Sequence, residues 1–204
     1  MFYAVARFTV MLLFKICFRM KAFGRENFPK DGPVIVAPNH ASFLDPVAVG
    51  ISAPRVLNYM ARDTLFRFRP FGKLLSMVNV FPLKREKGDV NAFRKALEQL
   101  KENKAILVFP EGTRSRDGNL QRPKDGIGFL SAMSGASIVP CYVKGSFKAL
   151  PRGASFPRFE DVTVYFGKPV KFSADNSPAD KKERYRIIAS DVMKRIEELK
   201  KNAD

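Results

Sequence analysis

His40 is the only histidine in the 204-residue chain, and it stands in Asn39-His-Ala-Ser-Phe-Leu-Asp45. Imidazole is the side chain whose unperturbed pKa lies nearest neutrality, so proton transfer by histidine has a single address here. A carboxylate five positions on can fix the ring's tautomer and stabilise its charged form, as in a serine-protease triad. On one continuous helix that spacing would set the two side chains about 140° apart. A strand–turn–helix corner brings them together, with His40 at the strand's end and Asp45 at the helix start. Asp45 also reads as the N-cap of that helix and Pro46 as its first residue. A carboxylate has two oxygens and can divide the two tasks. The competing reading is a histidine that only caps a turn.

A second segment, Phe109-Pro-Glu-Gly-Thr-Arg-Ser115, directly follows an apolar run. Glu111 brings a carboxylate to a strand end, and Gly112 permits close backbone approach. Arg114 offers a planar fork suited to phosphate. Thr113 and Ser115 add hydroxyls. A third segment, Val80-Phe-Pro-Leu-Lys84-Arg85, is an apolar strand ending in two cations. A fourth, Ile138-Val-Pro-Cys-Tyr142, is an apolar strand interrupted by Pro140. Proline removes a ladder donor, so it marks an edge, a bulge or a ligand-facing kink. Taken singly, each of these segments also fits an ordinary loop or strand end.

The elements that must position these residues follow from the pattern of apolar runs. Val34–Ala37, Val56–Met60, Val78–Leu83, Ala105–Phe109, Ser137–Val143 and Val162–Phe166 are short and unalternating, as strands covered on both faces are. Helices are expected over Val47–Ile51, Phe71–Met77, Asp89 to about Glu102, and Phe129–Ser134. A last helix is expected from Ser177-Pro178, with Tyr185, Ile188, Val192, Ile196 and Leu199 facing inward. The helix capped by Asp89 should bury Val90, Phe93, Leu97 and Leu100. Phe23–Gly32 reads as a connector and Gly112–Gly128 as a polar, Gly-rich loop. The expected fold class is α/β: a single domain with a largely parallel central sheet flanked by helices. Ligands in such folds bind at the carboxyl ends of the strands.

Residues 1–22 stand apart as an N-terminal membrane-associating helix ahead of a domain at 23–204. Met1 to Phe18 is nearly all apolar, with Arg7, Lys15 and Arg19 falling within roughly 120° of one another. Eighteen helical residues reach about 27 Å, just short of a ~30 Å hydrocarbon core. A buried arginine in a span costs roughly 2.5–3.5 kcal/mol. A helix lying in the interface, its basic stripe toward the headgroups, avoids that cost. A true span and a helix packed on the protein's own core are the alternatives. No small-residue cleavage site follows, so a signal peptide is not expected.

Composition narrows the partners. Lys plus Arg number 36 against 20 Asp plus Glu, a net +16, which calls for anionic ones. Only two cysteines occur, Cys17 and Cys141, so neither a disulfide framework nor a metal spacing can be read, and a reducing cytoplasm fits.

These four segments in this order resemble the glycerolipid acyltransferase superfamily, in particular the bacterial lysophosphatidic acid acyltransferases. That family carries Asn-His-x4-Asp, a strand ending in Arg, Phe-Pro-Glu-Gly-Thr-Arg-Ser and a late Val-Pro strand. The first and third blocks match unchanged, and the likeness runs from about Val34 to Val143, more loosely to Pro169. Lys124 and Gly126 loosely match a Lys-x-Gly beyond the third block. Asn79 stands where the second block often has Gly, and Arg62 where the family often has Lys.

The resemblance implies transfer of a fatty acyl group from a thioester to the sn-2 hydroxyl of 1-acyl-glycerol-3-phosphate, giving phosphatidic acid. His40 would be the base and Asp45 its orienter. Arg85, Glu111, Gly112, Thr113 and Arg114 would hold the glycerol phosphate. Arg62 and the amide of Gly112 would face the oxyanion or the donor, while Pro110 has no amide hydrogen to offer. No metal or cofactor is expected. Acyl-CoA or acyl carrier protein is the co-substrate, and both are anionic. The implied location is the cytoplasmic face of the cell membrane, peripheral or monotopic, on an anionic bilayer and without nucleic acid. Ser42 as an acyl-carrying nucleophile, glycerol-3-phosphate or another lysolipid as acceptor, and a purely basic binding protein are the competing readings.

Overall fold

The structure, a computed structural model, describes residues 2–83, 90–172 and 180–203. Along the chain run α1 (Phe2–Phe18), β1 (Lys21–Phe23), β2 (Val34–Pro38), α2 (Asp45–Ser52), β3 (Leu57–Arg62), α3 (Arg69–Met77) and β4 (Val80–Leu83). After these come α4 (Val90–Lys101), β5 (Ala105–Leu107), α5 (Gly126–Ser134), β6 (Ser137–Lys144), α6 (Ser146–Ala149), β7 (Thr163–Phe166) and α7 (Lys181–Ala203). The described strands form one sheet in the order β1-β7-β6-β2-β5-β3-β4. From β6 to β4 all neighbours are parallel. β7 is antiparallel to β6, and β1 runs parallel to β7. The α/β class and the largely parallel sheet are as expected.

The central strands are apolar throughout because both faces of the sheet are covered. In β2, Val34 and Val36 face one cluster with Ala48, Val49 and Ile51 of α2 and Phe14 and Phe18 of α1. Ile35 and Ala37 face the other, with Ala96 and Leu100 of α4, Ile127 and Leu130 of α5, and Ile188, Val192 and Ile196 of α7. β6 alternates the same way, Val139, Cys141 and Val143 against Ile138 and Tyr142.

Pro140 marks a bulge, one of its three expected readings, in an interior strand. Ile138 pairs with Val170 while Cys141 pairs with Phe166, a one-residue slip opposite the proline. Other expectations are corrected. Val90 is 68% exposed, and the buried stripe of α4 is Ala92, Ala96 and Leu100, flanked by Phe93 and Leu97. α5 starts at Gly126 rather than Phe129. β1 lies where only chain before a connector was expected. The proposed cap Asp89 and the helix start at Ser177-Pro178 lie outside the described residues.

α1 is helical, but its cations do not form one outward stripe. Arg7 donates to the carbonyls of Ile51 and Ala53 at the end of α2, where a cation suits the exposed carbonyls. Arg19 lies beyond the helix at φ 39 and pairs with Asp161. Phe14 and Phe18 are buried, so this helix packs on the core and keeps Lys15 exposed. No helix among the described residues is long and apolar enough to cross a membrane.

Candidate active site

The site is built at the carboxyl ends of β2 and β5, neighbours in the sheet. Asn39 leaves β2 with its carboxamide acting as one more ladder pair. Its Nδ2 donates to Val143 O at 3.3 Å, and the Val143 amide donates to its Oδ1 at 2.7 Å. That clamp onto β6 fixes where the chain turns.

In the turn, His40 Nδ1 lies 3.0 Å from Asp45 Oδ2. The same oxygen accepts the amides of Ala41 and Ser42, each at 2.7 Å. Three donors on one oxygen make it an acceptor throughout, so Nδ1 carries the hydrogen and Nε2 presents its lone pair. Asp45 is 0% exposed and the imidazole side chain 17%. The ring stacks on Phe109, centroids 3.6 Å apart and planes 16° from parallel. Tautomer and plane are therefore both fixed, one at the ring's edge and the other at its face.

Asp45 is not the N-cap of α2, as its position suggested. It is the first residue of that helix, the cap position belongs to Leu44, and no side chain caps it. Pro46, with no amide to satisfy, lowers the need for a cap, and the carboxylate turns back toward the preceding turn. Ser42 is fully buried; its hydroxyl donates to Leu150 O at 2.7 Å and accepts the Leu44 amide at 3.1 Å. That placement makes it a brace of the corner rather than a reachable nucleophile.

The loop after β5 is stitched to this corner. Glu111 Oε1 accepts the His40 amide at 2.9 Å, and Oε2 accepts the Gln121 amide at 3.3 Å. The Ser115 amide donates to His40 O at 2.7 Å. Glu111 is only 2% exposed, buried beneath the loop it braces. Burial outweighs its hydrogen bonds and pushes its pKa up to about 7. Gly112 sits at φ +67, where glycine is favoured, and a Cβ there would push the flexible Lys124 side chain, whose Cδ would lie 2.9 Å away. Its amide donates to Phe109 O at 3.1 Å. The hydrogen expected to face an oxyanion is thus engaged in the turn. Thr113 O accepts from Gln121 Nε2 at 3.4 Å. The Arg114 guanidinium lies flat over Phe43, 3.5 Å from the ring centroid, which holds the cation on the His40–Asp45 turn.

Of the expected site residues, the structure brings His40, Asp45, Glu111, Gly112, Thr113 and Arg114 together. Arg62 ends β3, but its side chain, like the whole of Arg85, lies outside the described residues. Asn39, Phe43, Phe109 and Gln121 are the positioning residues that sequence reasoning missed. Asn39, Phe43 and Phe109 stood inside the motifs, but nothing in their residue types revealed their partners. Among the described residues no group of three or more His, Cys, Asp or Glu could hold a metal ion. Chemically the corner is a histidine base with a fixed tautomer, a partly exposed ring and a cation stacked on the same turn.

Comparison with known proteins gives a consistent picture. Residues 19–144 match the family model described as Acyltransferase. A chloroplastic 1-acyl-sn-glycerol-3-phosphate acyltransferase of Arabidopsis thaliana is 32% identical over 75% of this chain, which spans 44% of that protein's length. A 1-acyl-sn-glycerol-3-phosphate acyltransferase of Bacillus subtilis is 28% identical over 91% of this chain and 90% of its own length. The crystal structure of the 1-acyl-sn-glycerophosphate acyltransferase from Thermotoga maritima superposes with a TM-score of 0.72 at 27% identity, covering 89% of this chain and 72% of that one.

Proposed function

Because the chain belongs to the Acyltransferase family, we propose that it moves a fatty acyl group from a thioester to the sn-2 hydroxyl of 1-acyl-glycerol-3-phosphate, making phosphatidic acid. The single observation that carries this reading is the His40–Asp45 pair at 3.0 Å, with the imidazole still 17% exposed. The relatives from Bacillus subtilis and Thermotoga maritima, a 1-acyl-sn-glycerol-3-phosphate and a 1-acyl-sn-glycerophosphate acyltransferase, support the acceptor.

In this mechanism His40 Nε2 takes the proton of the sn-2 hydroxyl as its oxygen attacks the thioester carbonyl. Asp45 stabilises the imidazolium that forms. The tetrahedral oxyanion collapses, the C–S bond breaks, and the imidazolium returns its proton to the leaving sulfur. An ester and a free thiol result, with no covalent enzyme intermediate. Arg114, with Arg85 and Thr113, holds the acceptor's phosphate, and Arg62 serves the oxyanion or the donor. The buried carboxylate of Glu111 suits bracing the loop rather than meeting a phosphate. The donor is acyl-CoA or acyl carrier protein, either of which suits a chain of net charge +16.

The enzyme works at the cytoplasmic face of the cell membrane, as a peripheral or monotopic protein. What supports the membrane contact is the outer face of α1, where Val5, Phe8, Leu12, Leu13 and Ile16 are 49–68% exposed. Such a face suits burial in the headgroup region, with Lys15 beside it. What supports the cytoplasm is two free cysteines.

Acceptor profiling tests this reading. Purified protein given lysophosphatidic acid, glycerol 3-phosphate and a zwitterionic lysolipid should acylate the first by far the fastest. Acylation confined to either of the others would overturn the acceptor while leaving the chemistry in place.

A further inference from the structure

Between β6 and β7 the chain makes an excursion that the catalytic reading does not use. It carries Phe156 and Phe159, 84% and 73% exposed, more than any other large apolar side chain among the described residues. A single exposed apolar residue needs no explanation. Two phenylalanines three residues apart, around Pro157-Arg158, form a local pattern.

The excursion is a built element. Its neck is shut: Gly145 sits at φ +84, and a Cβ there would lie 1.8 Å from Asp161 O. The Arg158 amide donates to Ala149 O at 2.7 Å, and the Ala154 amide to Pro151 O at 3.1 Å. One side of its base is tied to the catalytic corner through Ser42 Oγ and Leu150 O at 2.7 Å. The other side is tied to the end of α1, where the Val162 amide donates to Phe18 O at 2.9 Å and Arg19 pairs with Asp161. The loop thus sits between the corner that holds His40 and the helix whose apolar face is exposed.

We propose that residues 150–161 are a second membrane-docking element, in which Phe156 and Phe159 enter an anionic lipid interface and Arg152 and Arg158 meet its headgroups. This rests on the membrane-bound acceptor proposed above for its purpose, though not for its binding. Charge selects the occupant. Lys148, Arg152 and Arg158 are exposed against Glu160, while Asp161 is committed to Arg19. A second copy of the chain would bring the same cations into contact. A nucleic acid would accept the cations but leave the neighbouring apolar face of α1 in water. Aromatic side chains with basic neighbours suit the headgroup–acyl boundary of an anionic bilayer. With the loop and α1 both engaged, the corner tied to the base of the loop would be held close to the layer in which a lysolipid resides.

Co-sedimentation of the full chain with phosphatidylglycerol vesicles, and with phosphatidylcholine vesicles for comparison, tests this. The expected result is a loss of affinity for phosphatidylglycerol of about tenfold or more in Phe156→Ser/Phe159→Ser. Arg152→Gln/Arg158→Gln should lose most of the preference for phosphatidylglycerol over phosphatidylcholine. All four side chains are exposed, so thermal melting should be unchanged. Acyl transfer to a short-chain, monodisperse lysophosphatidic acid should stay within twofold of wild type. Unchanged vesicle affinity in the double phenylalanine variant would overturn the proposal. So would a loss confined to turnover with an acyl carrier protein donor, which would make the loop a protein-docking site. Binding is read without turnover, so the inference is judged even where the acceptor assignment fails.

Discussion

Glu111 Oε1 and the backbone amide of His40 meet at 2.9 Å, so the carboxylate of one motif holds the main chain of the other. The stitch crosses from the loop after β5 to the loop after β2. Glu111 works there without touching the imidazole. Its burial raises its pKa from 4.5 to about 7. A group raised on folding stabilises the fold below its unfolded pKa and loses that contribution as pH rises through its folded one. The window is therefore about pH 4.5 to 7. Glu111→Gln has no such proton to lose. The stability of wild type relative to Glu111→Gln, from urea unfolding, should fall steadily between pH 5 and pH 8. A difference that stays constant or grows with pH would contradict this assignment.

Asp45→Asn removes the negative charge that stabilises the imidazolium while preserving shape. The activity should drop by roughly 10²–10⁴-fold in kcat, as when the orienting carboxylate of a catalytic triad is neutralised. KM for the acceptor should move by no more than a few-fold. Steady-state kinetics of the folded variant check this. Asp45→Ala is a different experiment. It strands the buried amides of Ala41 and Ser42, each lost partner costing ~1–3 kcal/mol, and should appear first as a lower melting temperature.

Phe43→Leu keeps an apolar side chain but removes the π face beneath Arg114. An exposed cation–π contact is worth about 0.5–1 kcal/mol. The expected change is a rise of about two- to fivefold in KM for lysophosphatidic acid at nearly constant kcat, with Phe43→Tyr restoring the wild-type value. A fall in kcat at constant KM would show that Phe43 serves the chemistry rather than the anion.

The catalytic corner is legible in the sequence because its signals are local. An apolar run, a His, and a carboxylate beside proline specify strand, turn and helix within a dozen residues. The direction of the Asp45 carboxylate is not legible. A carboxylate at a helix start ordinarily faces its own amides, and only the geometry of the turn offers it those of Ala41 and Ser42 instead. β1 escapes for the opposite reason. Lys21–Phe23 pairs with β7 some 140 positions later, and three residues carry no period of their own. The basic stripe of α1 misleads because Arg7 finds its partner at the end of α2, a contact that helical spacing does not encode. Phe156 and Phe159 draw no attention in a sequence of 19 phenylalanines, since their exposure is a property of the fold.

The most direct test of the account is formation of labelled phosphatidic acid from lysophosphatidic acid, with acyl-CoA and acyl carrier protein donors in parallel, by wild type and His40→Ala. Wild type should form product with at least one donor, and His40→Ala should be slower by about 10³-fold or more. No product with either donor, or a variant as fast as wild type, would contradict it.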